Sequence, residues 1–400
     1  MTTHDPRKAV ELLRNHLATH DQQLAFLFGA GVSCAVKNTA TGSPLIPAVA
    51  ALTETCGNHV KGISTEFSNA WLAIQQECTD LGLDNNIEVI LSRIRGKLAA
   101  LGPSDNTLGL KVSELAKFEQ EICESIAKQV SPSPSLIPEN SPHDQFAHWL
   151  KAIRRKSAIE IFTTNYDVLI ERSLEEAQVP LFDGFSGSYL PFFNTECFDD
   201  EGQMPPPEWV RLWKLHGSVN WTIAANAGKR RVVRDQNATK GEMILPSHLK
   251  YEESKKLPYQ ALMDRLHSTM KKRGALMVTS GFSFGDQHIN SILFDALEAH
   301  SLTHIISLQF GDIAESSELS KLAERYRNFL VFGRNAAVIQ GVWGEWKLAT
   351  PIDANSAPFM DKAFAPVNPG TACGGQLKLG DFAAFCAFLE TMGFSGGSLK

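Results

Sequence analysis

The chain has no Cys-x-x-Cys pair, no apolar run as long as the roughly 18 residues that a membrane span needs, and no excess of basic charge. Each absence removes a class of function. Its seven cysteines, at 34, 56, 78, 123, 197, 373 and 386, are scattered, so a cysteine-based zinc site is not expected. The odd, unpaired set suits free thiols in a reducing cytosol. With 44 acidic and 38 basic residues the formal net charge is -6, which argues against direct nucleic-acid binding driven by bulk electrostatics. Local basic runs occur at Lys229-Arg230-Arg231 and Lys271-Lys272-Arg273, and a solvated face accounts for either. The first residues, Met1 to Pro6, lack the apolar segment of a secretory leader, and a cytoplasmic protein is expected. There is no internal repeat.

What is present is ordinary globular composition, 43% hydrophobic and 20% charged over 400 residues, enough for one large α/β domain with an added module. Short apolar runs bounded by polar or glycine residues alternate with helical periodicity. Leu24 to Phe28, 158–162, 212–215, Ala275 to Thr279, 304–309 and 329–332 read as buried strands. Helices are expected over 6–20, 143–155, from Tyr166 to Ala177, and over 258–272, 314–327 and 381–392. This alternation predicts an α/β, doubly wound, mainly parallel Rossmann-like sheet. Between Pro44 and Gln129 the period changes: Ile87, Ile90, Leu91, Ile94 and Leu98 recur at spacings of three and four. A proline-rich linker over 131–142 closes that block. The expected organisation is a core of 1–44 and 136–343, an inserted helical module over 45–135, and a C-terminal tail over 344–400 that could contact a partner. The Phe-, Gly- and Pro-rich segment 181–210 is expected to be irregular and to lie over the site. Small antiparallel strands are expected within 219–245.

Chemistry in such a sheet sits at the carboxyl ends of strands. Three strand ends deliver polar groups there: Gly29-Ala30-Gly31-Val32-Ser33, Thr163-Thr164-Asn165-Tyr166-Asp167, and Lys214-Leu215-His216-Gly217-Ser218. A fourth, Ser280-Gly281-Phe282-Ser283-Phe284-Gly285-Asp286, joins them. Glycines allow a pyrophosphate to approach the backbone, and a helix start offers unpaired N–H groups. The ordinary dinucleotide fingerprint is broken, because Cys34 stands where a small residue belongs and no acidic residue ends a second strand about 20 residues on. Thr164 or Asn165 could instead cap the following helix, Asp286 could cap the helix holding Ile289 and Leu293, and His216 could be a structural hydrogen-bonding residue. His216 is also the natural general base near neutral pH.

Taken in order, these four motifs resemble the sirtuin-like NAD-binding family. They are most similar to the bacterial branch that acts in anti-phage defence as NAD-consuming enzymes. The resemblance covers roughly 20–340. Ile244-Leu245-Pro246-Ser247, Lys250-Tyr251 and Pro258-Tyr259 further resemble the group that accompanies a HerA-type ATPase. Protein-deacylating relatives carry a four-cysteine zinc module and a Gly-Ile-Pro-Asp-Phe-Arg run. Here no cysteine lies between 198 and 372, and the corresponding run reads Thr41-Gly42-Ser43-Pro44-Leu45-Ile46-Pro47. The resemblance therefore implies hydrolysis of NAD+ rather than deacylation, with NAD+ as substrate and no zinc. It implies Asn165, His216 and Asp167 as catalytic residues. Asn165 would position the ribose and the water, His216 would act as base, and Asp167 would support the site. Gly29, Ala30, Gly31, Ser33, Thr164, Gly281, Ser283 and Asp286 would hold the dinucleotide. A homo-oligomer and a partner ATPase that gate the activity are expected. Alternatives left open are an NAD- or ADP-ribose-binding regulatory module and an NAD-dependent deacylase.

Overall fold

The computed structural model describes residues 2–199, 201–226, 229–235, 242–243, 258–353, 355–368 and 370–393. The pieces at 244–247 and 250–251 lie outside these.

A ten-stranded, largely parallel sheet forms the centre. Its strands are β1 (Thr3–His4), β2 (Leu24–Phe28), β3 (Glu160–Thr163), β4 (Leu181–Phe182), β5 (Val210–Lys214), β6 (Leu276–Ser280), β7 (His304–Leu308), β8 (Phe329–Phe332), β9 (Ala336–Ile339) and β10 (Val342–Trp346). The order across the sheet is β1-β10-β9-β8-β7-β6-β2-β3-β5-β4. Only the β8–β9–β10 meander runs antiparallel. Strand addition proceeds one way from β2 through β3 to β5, and the other way from β6 through β7 to β8. The crevice between β2 and β6 is thus the topological switch point, where open α/β sheets bind ligands.

The central strands are buried on both faces, which is why each is a continuous apolar run rather than an alternating one. Register sets the strand ends level. Phe28 stands opposite both Ser280 and Thr163, and Thr163 opposite Lys214. The residues that follow, Gly29, Thr164, Leu215 and Gly281, therefore emerge along one edge.

Helices cover both faces. On one, α1 (Pro6–Ala18) and α7 (Pro142–Ala152) pack on Phe26 and Phe28. The helix α7 starts where the proline-rich linker ends. Ser141 and Asp144 form a reciprocal capping box, with Pro142 at the first helical position. The C-terminal helix Phe382–Gly393 lies on this face too. Phe382 and Phe385 pack among Phe26, Phe28 and Phe146, so this part of the tail belongs to the core. Strand β10 likewise crosses the boundary expected at 344. On the other face, Tyr259–Met270 and Gln287–Ala299 pack against Leu27, Phe162, Trp213 and Met277.

The block after the first strand–turn unit is helical: α3 (Val49–Lys61), α4 (Thr65–Asp80), α5 (Ile87–Ala100) and α6 (Val112–Gln129). Between α5 and α6 lies a small hairpin, Asn106–Thr107 with Leu110–Lys111. Trp71, Ile74, Ile90, Ile94, Phe118 and Ile122 make its own core, which also takes in Leu169 and Val219 from the sheet's loops. Those two contacts seat the block on the strand ends.

Two expectations are corrected. Helix α8 runs Leu169–Glu176 and starts three residues after Tyr166, because the backbone of Tyr166–Asp167 is bonded to β5 and its neighbours instead. Segment 181–210 contributes β4 and the short strands Phe185–Ser186 and Phe192–Phe193. The latter pair extends the hairpin Trp221–Asn226 with Lys229–Arg234, and no described residue of 181–210 lines the cleft described below. Among the described residues no helix is long and apolar enough to cross a membrane.

Candidate functional site

A cleft of about 910 Å³ opens over the β2/β6 switch point, near the upper end of the roughly 300–1,000 Å³ usual for ligand pockets. Its floor is made by the strand-end loops: Gly29, Ala30, Ser33, Thr164, Asn165, Asp167, His216, Gly281, Ser283 and Asp286 all line it. Of the residues expected at the site, Gly31 alone lies off its wall. The facing wall comes from the helical block, with Pro47, Val49, Asp84, Asn86, Glu88 and Ser92. Hydrophobic periodicity predicts these helices but gives no sign of which end meets the site.

The glycines first serve loop-to-loop contact. Gly31 N–H donates to Gly281 O at 3.2 Å, and Gly29 N–H to Ser280 O at 3.1 Å. A Cβ on Gly31 would stand 2.7 Å from Gly281 Cα, and one on Gly281 2.6 Å from Val32 N. Gly281 also has a φ of +63°, in the region that favours glycine. Only glycine lets the two turns close the crevice. The Gly31 N–H is thus bonded within the protein.

Ser33 is likewise bonded within the protein. It is buried, its hydroxyl donates to Asp167 Oδ2 at 2.5 Å, and its oxygen accepts from Asn165 Nδ2 at 2.8 Å. Asn165 Nδ2 gives its second hydrogen to Gly29 O at 2.9 Å. Because that carbonyl can only accept, the nitrogen end of the amide must face it. Both amide hydrogens are committed, and Asn165 Oδ1 has no hydrogen-bond donor among the described residues. Asn165 can meet a ligand only as an acceptor. Asp167 completes the chain. Its Oδ1 accepts from Leu169 N at 3.0 Å, which starts α8.

Asp286 combines two roles that the sequence leaves as alternatives. Its Oδ1 caps the helix Gln287–Ala299, accepting from His288 N at 3.0 Å and Ile289 N at 3.3 Å. Its Oδ2 lies 3.0 Å from His216 Nε2. A carboxylate accepts, so the pair holds the proton on Nε2 and makes Nδ1 the basic nitrogen of neutral imidazole. The Tyr166 ring lies 6.5 Å from that imidazole, and burial, with Glu88 nearby, holds its phenol well above the ordinary range.

Among the described residues the cleft wall carries Asp84, Glu88, Asp167 and Asp286 and neither Lys nor Arg. Such a field favours positive charge inside the cleft. Among the described residues no group of three or more His, Cys, Asp or Glu is placed to hold a metal ion.

Residues 159–330 match the model of a SIR2-like domain. The matched span runs from β3 to β8 and holds Asn165, Asp167, His216, Gly281, Ser283 and Asp286. The match supports an NAD-related function. The Gly29–Ser33 turn and the helical block lie outside it, so the cleft joins matched and unmatched parts of the chain. No curated protein matches the chain.

Proposed function

We propose that the chain hydrolyses NAD+ at the nicotinamide–ribose bond. The observation that carries this reading is the fixed amide of Asn165, which presents only an acceptor to a cleft that also holds the His216–Asp286 pair. Breaking this bond builds positive charge on the ribose carbon and needs a water held in line. Asn165 Oδ1 accepts a hydrogen from a ribose hydroxyl or from that water. His216 takes a proton from the water or from a ribose hydroxyl, and Asp286 stabilises the imidazolium that forms. The carboxylates of the wall favour the developing cation. Thr164, Ala30, Gly281 and Ser283 lie where the rest of the dinucleotide would rest. Asp167 and Ser33 act through Asn165.

Pure protein incubated with NAD+ should release nicotinamide and ADP-ribose without any other substrate. Release that requires an added acyl-lysine peptide would instead mark a deacylase. Binding of NAD+ with no product would mark a regulatory module.

The motif resemblance supports a setting for this activity: NAD+ depletion in anti-phage defence. It also supports control by self-assembly or by a HerA-type ATPase, since unrestrained NAD+ loss is toxic. Turnover that rises on co-purification with such an ATPase is the expected result. Full activity of the isolated monomer would exclude gating.

A further inference from the structure

We propose that Lys214 is a positioning residue for the reaction, clamping the loop that carries Asn165 and Asp167. The inference rests on the reading of the cleft as an NAD+-cleaving site, but its geometry stands apart from it. Lys214 is the last residue of β5, two before His216. Its side chain is 2% exposed. Nζ donates to Tyr166 O at 3.2 Å, to Asp167 O, and to Glu171 Oε1 at 2.9 Å. An ammonium has three hydrogens, and all three are used.

The Tyr166 carbonyl is held from a second direction. Val219 N donates to it at 3.0 Å and Ser218 Oγ at 3.3 Å. Lys214 precedes His216 and Ser218–Val219 follow it, so the His216 loop arches around a carbonyl that sits beside Asn165. The two loops are thereby locked into one body, and these bonds add to the strand register in setting the separation of Asn165 from His216.

Strand packing alone gives no reason for a charge here. Burying an ammonium costs several kcal/mol, and an apolar side chain would fill the same space without that penalty. The lysine supplies three directed bonds, and only one of them goes to a carboxylate. Burial raises the pKa of Glu171, with Lys214 working against that shift.

Two variants separate the clamp from the ion pair. Lys214→Met and Glu171→Gln both break the pair, but only the first frees the two carbonyls. Lys214→Met should lower kcat for nicotinamide release about 100-fold with KM for NAD+ changed less than about twofold, because a displacement of about 1 Å is worth that much in rate. Glu171→Gln should stay within about twofold of the parent in both. The double variant removes the unpaired carboxylate that Lys214→Met leaves behind. It should recover the parent's melting temperature while its kcat stays low.

Amide hydrogen exchange of residues 165–169, measured without NAD+, should speed up at least about tenfold in Lys214→Met and not in Glu171→Gln. Unchanged kcat in Lys214→Met, equal losses in both single variants, or unchanged exchange would each overturn the clamp. If the parent chain releases no nicotinamide, the NAD+ reading fails, and the exchange experiment still decides the clamp.

Discussion

Ser33 Oγ donates to Asp167 Oδ2 at 2.5 Å, and this bond joins the Gly29 carbonyl in deciding which end of the Asn165 amide faces the cleft. With its proton on the Asp167 side, Ser33 can only accept from Asn165. Gly29 O can only accept as well. The amide nitrogen is thus held inward from two sides and the oxygen turned outward.

The order Asp167, Ser33, Asn165 can be tested by reversing it. In Asp167→Asn the new amide can donate to Ser33, which turns the Ser33 proton toward Asn165 and favours the flipped amide. Nicotinamide release should fall roughly 100-fold with the fold intact. Ser33→Ala removes the relay without reversing it and should lose about tenfold. The double variant should be no worse than Asp167→Asn, because the two act in series. Additive losses in a steady-state assay would show that they act independently.

Asn165→Ala removes the acceptor itself and should abolish measurable release, a loss of at least about 100-fold, with the fold intact. Asn165→Asp keeps the shape but sets a carboxylate against Gly29 O. It should be equally inactive and less stable by about 1–3 kcal/mol in urea denaturation.

His216→Ala should also be inactive. In Asp286→Asn the imidazolium loses a neighbouring negative charge, so the acid limb of kcat/KM should move to lower pH. A capping role alone would leave that limb in place while stability falls. The pH profile therefore separates the two roles of Asp286.

His143, on α7, is buried against the Phe382 ring, and neither of its ring nitrogens has a hydrogen-bond partner among the described residues. Burial lowers its pKa to about 4. The unfolded chain, near 6.5, binds the proton first, so stability is full above about pH 6.5 and falls as pH drops toward 4. That loss amounts to on the order of 3 kcal/mol once pH is below 4. His143→Phe should remove most of this acid sensitivity in denaturant titrations at pH 5 and pH 8, and should leave turnover unchanged.

Glu160 opens β3 at the end of the sheet away from the cleft. It is fully buried and bonded to Arg211, Arg265 and Trp213. Glu160→Gln leaves two guanidinium groups short of charge and should cost roughly 3–5 kcal/mol of stability. Nicotinamide release per folded molecule should not change.

Much of the frame was legible because the forces that make it are local. Leu24–Phe28 is an apolar run stopped by a glycine, and the structure begins and ends the strand there. Ser141-Pro142-His143-Asp144 spells a helix start in four residues. Segment 181–210 was not legible, because its strands are two residues long and pair with β5 and, at Phe192–Val233, with a distant hairpin. The start of α8 was misread for a related reason. The apolar and polar order of Tyr166–Val168 suits a helix, but Lys214, Ser218 and Val219 claim the Tyr166 carbonyl.

The sequence by itself determined the doubly wound sheet and the level at which Gly29, Asn165, His216 and Gly281 emerge. The six central strands are written in hydrophobic pattern and glycine placement. Only the tertiary structure decided which polar atoms are left for a ligand. Ser33 and Gly31, which the family resemblance sets against the dinucleotide, spend their donors on Asp167 and Gly281, and the opposite wall of the cleft comes from helices inserted between β2 and β3. Hydrogen-bond partners across more than 100 residues of chain carry no local signature, because any donor can satisfy any acceptor until the fold chooses between them.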